Sequence, residues 1–169
     1  MLIVENGTGL TNANSYASVA EFKTYATDRG LTESLALSDA VIESSLIKAS
    51  DYLEANYYDA WKGTPTNIGQ SLAWPRDGVY IDGVLLADNV IPQKLKNANI
   101  ELAIRAGAGS ELLPDEGQRV KREKVDVLEV EYNENYSAEP KYPLISRMLA
   151  PFLESNQGSG INTAKLTRV

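Results

Sequence analysis

Residues 38–57 read SDAVIESSLIKASDYLEANY. Ile42, Leu46, Ala49 and Leu53 recur at spacings of four, three and four, the repeat of a helix with one apolar face. Ser38, just ahead of them, is a good N-cap. The stretch predicts a helix from near Ser38 to about Tyr57. On its N-terminal side, Ser18-Val19-Ala20-Glu21 has capping-box spacing, and Val19, Phe22 and Ala26 share a face before Gly30. A helix over about 18–29 follows, preceded by a Gly-, Asn- and Thr-rich loop, ENGTGLTNAN, at 5–14.

On the C-terminal side the helical period is lost between Asp59 and Asn89. Asp82-Gly83, between Val79-Tyr80-Ile81 and Val84-Leu85-Leu86, reads as a two-residue hairpin turn or a tight loop. Pro92 opens another helix at its first position, with Leu95, Ala98, Leu102 and Ala106 as its buried stripe and Gly107 and Gly109 as its end. Residues 118–132, QRVKREKVDVLEVEY, alternate apolar and charged, with Leu128 out of phase. They read as a strand or two-stranded arm, basic at one end and acidic at the other. Pro143 starts a last helix carrying Ile145, Met148, Leu149, Phe152 and Leu153, with a kink or break expected at Pro151. The fold expected is mostly α: a small bundle of three or four helices, a β-hairpin or strand arm, and a flexible tail. Residues 1–155 would form one domain and 156–169 the tail.

The totals narrow the chemistry. The chain has 169 residues, a net charge of −7, no cysteine and no histidine. Disulfides and thiolate metal sites are impossible, and the commonest general base and metal ligand is missing. The expectation is a protein that is no enzyme and holds no cofactor or metal. Glu43, Asp51 and Glu54 on the central helix, and Glu129 with Glu131 in the arm, read as solvated carboxylates. The start, MLIVENGTGL, lacks a basic region and a cleavage site, and no run is apolar enough to span a membrane; a cytoplasm-like compartment is expected. Residues 1–60 hold nine acids against three bases. Such a charge disfavours general binding to phosphates and suits a basic partner, or a surface that nucleic acid slides past. The nine tyrosines raise single-strand stacking, but Tyr52, Tyr57 and Tyr58 lie among acids, and the basic run Arg119–Lys124 holds no aromatic.

In their order along the chain, a set of strings resembles a family of tailed-phage head–tail connector proteins, the adaptor or head-completion proteins. They are Gly9-Leu10, Ala13-Asn14-Ser15-Tyr16, Lys48-Ala49-Ser50-Asp51-Tyr52-Leu53 and Trp61-Lys62-Gly63. Gln70-Ser71-Leu72-Ala73-Trp74-Pro75-Arg76 is the most specific piece, followed by Ile91-Pro92, Lys121-Arg122-Glu123-Lys124-Val125, Glu129-Val130-Glu131-Tyr132 and Leu149-Ala150-Pro151-Phe152-Leu153. The resemblance covers nearly the whole chain. Sequences of this kind are often labelled DnaT-like single-stranded-DNA-binding proteins, so a replication accessory role is the alternative.

The resemblance implies a structural virion protein of the neck, assembled in the bacterial host. Copies would close into a ring of about twelve subunits under the portal protein. The ring would extend the DNA channel, let the genome pass without sequence-specific binding, and dock the next neck, stopper or tail-completion protein. Within that picture the arm residues Arg119, Lys121, Arg122, Lys124, Glu129 and Glu131 would serve subunit contacts. The tail residues Ile161, Lys165, Leu166, Arg168 and Val169 would dock on the portal. Gln70, Trp74, Pro75 and Arg76 read as a structural lock. The indole would fill the gap between the helices at 38–57 and 92–107, and Arg76 would pair with an acid or cap helix-end carbonyls.

Overall fold

The computed structural model describes residues 1–113, 122–125, 128–131 and 142–154, the two middle segments as backbone alone. The first helix, α1, spans Val19–Asp28. Its capping box is complete: the Ser18 hydroxyl accepts the Glu21 amide, and the Glu21 carboxylate accepts the Ser18 amide at 2.7 Å. Arrest is equally local. Gly30 takes a positive φ of 64°, its amide reaches Thr27 O, and the Leu31 amide reaches Ala26 O, so two orphan carbonyls are satisfied.

A single turn, α2 (Thr32–Leu35), follows. It is too short to show a period, and the sequence reading has no helix there. The next helix, α3 (Asp39–Tyr57), starts from the Ser38 N-cap, and Ile42, Leu46, Ala49 and Leu53 are all fully buried.

Between α3 and the next helix the chain makes a 3-10 turn at Tyr58–Ala60 and two minimal antiparallel ladders. Strand β1 (Thr64–Pro65) pairs with β2 (Arg76–Asp77), and β3 (Tyr80–Ile81) pairs with β4 (Val84–Leu85). Asp82 and Gly83 have φ of 51° and 81°, the two left-handed positions a tight hairpin turn needs. The Asp-Gly reading as a hairpin therefore holds.

Helix α4 covers Gln93–Gly107, and Pro92 is its N-cap rather than its first helical residue. Extended ψ at Pro92 places it outside the helix, where its missing amide is equally harmless. Leu95, Ala98 and Leu102 are buried, whereas Ala106 is half-buried on the last turn, where it lines an open surface hollow. Strands β5 (Arg122–Val125) and β6 (Leu128–Glu131) form a third antiparallel pair. Helix α5 spans Pro143–Leu149 with its proline in the first turn. Pro151 marks a break, as expected, and the chain tightens to a 3-10 turn over Ala150–Phe152.

The core lies chiefly between α3 and α4, with α1 packed on both and α5 on α4. Asn99 ties it together from inside: its amide donates to Ser50 Oγ at 2.9 Å and Leu46 O at 3.3 Å, and its oxygen accepts from Ser15 Oγ at 3.2 Å. Among the described residues no helix is long and apolar enough to cross a membrane.

Candidate functional site

The strings that carry the family resemblance are scattered along the chain, but four of them meet at one place. Residues 60–62 run antiparallel to 152–154, held by Lys62 N to Phe152 O at 2.9 Å and Glu154 N to Ala60 O at 2.8 Å. The Lys62 ammonium adds a bond to Pro151 O at 2.8 Å. This zipper places Trp61 and Phe152 on either side of Trp74. Trp74 meets Trp61 edge-on at 5.9 Å and Phe152 edge-on at 5.7 Å, and is 0% exposed. Each such contact adds about 0.5–1.5 kcal/mol beyond burial. The rings that grip Trp74 thus come from the connections before β1 and after α5. Among the described residues neither indole Nε1 meets an oxygen or nitrogen acceptor.

Arg76 departs from expectation. It is buried and, among the described residues, pairs with no carboxylate; its guanidinium forks over three loop carbonyls, Lys62 O at 2.8 Å, Gly63 O at 2.7 Å and Ala73 O at 3.2 Å. None is a helix end. The bend of 62–63 against 73–76 leaves these carbonyls without strand partners, and a planar five-donor group meets them at once. Gln70 closes the same turn: it accepts the Asn67 amide and donates to Leu72 O at 2.7 Å and Pro75 O at 3.0 Å. Pro75 is buried and follows a cis peptide bond.

Glu54 also corrects the reading of it as a solvated carboxylate. It accepts the Tyr16 hydroxyl at 2.5 Å and the Ala73 amide at 3.0 Å, and the Tyr16 oxygen accepts the Trp74 amide at 3.3 Å. Asp51, one helical turn away, is exposed as expected. Burial raises the Glu54 carboxyl above its ordinary range, against the hydrogen bonds from Tyr16 and Ala73 and the charge of Arg76. Burial, then the charge of Glu54, holds the Tyr16 phenol well above its ordinary value. A phenol beside a carboxylate thus keeps its proton and locks the backbone at 73–74. The helical period placed Glu54 beside the apolar stripe of α3, but the loop that folds over it is a tertiary event.

Glu5, which the sequence reading passed over, is fully buried where Glu54 is half-buried. Its carboxylate collects the amides of Gly7, Gly9 and Leu10 at 2.9, 3.0 and 2.8 Å. Gly7 and Gly9 have positive φ, and a Cβ on Gly7 would collide with Asn89 O. An acid directly ahead of Asn-Gly-Thr-Gly was the available signal.

In the arm, β5 and β6 place Arg122 opposite Glu131 and Lys124 opposite Glu129. The basic strand therefore lies beside the acidic one, and bases face acids across the ladder rather than occupying opposite ends. Arg119 and Lys121 lie outside the described residues, as do the tail positions Ile161, Lys165, Leu166, Arg168 and Val169.

The remaining aromatics and charges complete the picture. Tyr52 is buried edge-on to Tyr142 at 5.5 Å. Tyr25 donates to Glu101 at 2.8 Å under the Arg29 guanidinium, and its phenol is pushed up to about 12 by burial first and Glu101 second. The exposed Tyr58 and Tyr80 lie near Asp59 and Asp82 in the chain. Lys23, Lys96 and Arg105 are ion-paired with Asp39, Glu21 and Glu101. Among the described residues no group of His, Cys, Asp and Glu side chains is set to hold a metal ion.

One family model, described as "Putative DnaT-like ssDNA binding protein", matches residues 1–169. No curated protein and no solved structure matches the chain.

Proposed function

The chain belongs to that DnaT-like ssDNA binding protein family, and we propose that it serves as a structural head–tail adaptor of a tailed phage, a ring subunit beneath the portal. The observation that carries this reading is the fate of the Trp-Pro-Arg string. Both indoles of the chain are interior, so the most specific motif builds the fold and presents nothing to a base. A single-strand binder needs exposed aromatics interleaved with free cations. Here the described side chains carry fifteen acids and nine bases, and of those bases Arg76 is buried while Lys23, Lys96 and Arg105 are neutralised by carboxylates. An acidic subunit suits a channel through which DNA slides. The β5–β6 arm suits reach toward a neighbouring copy, and the tail suits docking on the portal.

The family description supports a second reading, a single-stranded-DNA-binding accessory protein. Sedimentation with DNA-filled, portal-bearing heads separates the two. The adaptor reading expects the full chain to pellet with such heads, and not with heads whose portal vertex is already occupied. A chain that stays in the supernatant but retards a single-stranded oligonucleotide at physiological salt overturns it.

A further inference from the structure

The β3–β4 hairpin is unlike the rest of the molecule. Each strand has two residues, both edges are unpaired among the described residues, and three of the four strand side chains are large, apolar and more than half exposed: Tyr80 57%, Val84 70% and Leu85 53%. Tyr80 faces Leu85 across the ladder, so those two share one face and Val84 lies on the other. An isolated two-stranded hairpin is marginal in water, and unpaired edges invite another strand. Its charge is one-sided: Asp77, Asp82 and Asp88 are exposed around it, and residues 77–93 contain no base.

The C-terminal segment has the opposite composition. Residues 155–169 carry Lys165 and Arg168 with no acid, and Ile161, Leu166 and Val169 as apolar residues. Its point of departure is also fixed. Glu154 pairs with Ala60, three residues before Gly63, which lies against the Asp77 carbonyl and the Val79 side chain at the foot of the hairpin. Fifteen residues span up to roughly 50 Å when extended. The segment therefore starts beside the hairpin with ample reach, and tethering supplies a high effective concentration.

We propose that residues 155–169 dock on the β3–β4 hairpin of their own chain, covering Tyr80, Val84 and Leu85 and setting Lys165 and Arg168 among Asp77, Asp82 and Asp88. The contact does not depend on the adaptor reading. It would occupy the hairpin until a competing partner displaces the segment.

The sequence has no cysteine, so Ala164→Cys gives the full chain a single thiol for a nitroxide. Amide signals of residues 79–90 should broaden selectively, while those of the first turns of α3 stay sharp. The broadening should persist when the doubly labelled chain, isotope and nitroxide together, is diluted into unlabelled protein. It should be lost when Lys165→Glu and Leu166→Asp are added, with hairpin amides then exchanging about tenfold faster. No selective broadening overturns the proposal. Broadening seen only between a nitroxide-bearing chain and a separately isotope-labelled chain also overturns it, since the occupant is then a second copy.

Discussion

The lock around Trp74 and the β3–β4 hairpin lie within the same non-helical excursion, a few residues apart, and they are opposites. In the lock, three rings are buried edge-on, Arg76 and Gln70 serve five loop carbonyls between them, and Glu54 and Tyr16 hold the amides of Ala73 and Trp74. In the hairpin, a correct two-residue turn carries apolar side chains into solvent. Good local geometry is common to both. What differs is the number of distant segments that converge: the lock draws on residues near 16, 54, 62, 74 and 152, the hairpin on its own strands, the Val79–Leu86 bond and the packing of Ile81 and Leu86 on the core. Convergence makes the first region the part that defines the fold and leaves the second with its apolar side chains exposed.

Four substitutions bear on that contrast. Trp74→Ala should have the largest effect, about 3–5 kcal/mol lost in denaturant unfolding, as for other large buried aromatics. An unchanged melt would place the indole at the surface. Arg76→Lys leaves buried carbonyls without donors and should cost about 2–4 kcal/mol, read by the same titration. A neutral result would mean water serves those carbonyls as well. Glu54→Gln should alter the pH profile. Because the folded pKa of Glu54 is raised, its stabilising contribution is full below the unfolded value and is lost as pH rises through the folded one. The variant should therefore gain on the wild type as pH rises from the ordinary carboxylate range through the raised folded value, and a constant difference would remove the burial argument. Val84→Thr should be smallest, within about 0.5 kcal/mol of global stability, while changing the exchange of hairpin amides.

The helices were legible because their signals are local. Ile42, Leu46, Ala49 and Leu53 announce α3, Ser18 and Glu21 cap α1, and Asp82-Gly83 turns the hairpin. The one-turn α2 was not legible, since four residues show no period. Trp74 was readable as a buried lock residue, but its ring partners were not, because Trp61 and Phe152 are brought to it by a strand-like pairing of residues 90 apart in sequence order, such as Lys62 and Phe152. The partial burial of Glu54 and the full burial of Glu5 escaped for the same reason. A carboxylate looks solvated until the loop whose amides it accepts is known. In the arm, composition gave a basic and an acidic stretch, and only the register set them side by side.

The motif strings form an interior rather than a platform for bases. The chain has two tryptophans, so its emission reports both ring sites and nothing else. The measurement is tryptophan fluorescence of the full chain, titrated with iodide and separately with a single-stranded oligonucleotide at physiological salt. Buried indoles predict blue-shifted emission, little quenching by iodide and no change on saturation with the oligonucleotide. Red-shifted emission that iodide reaches, and that the oligonucleotide quenches or protects, would contradict the account and put Trp61 and Trp74 at a nucleic-acid surface.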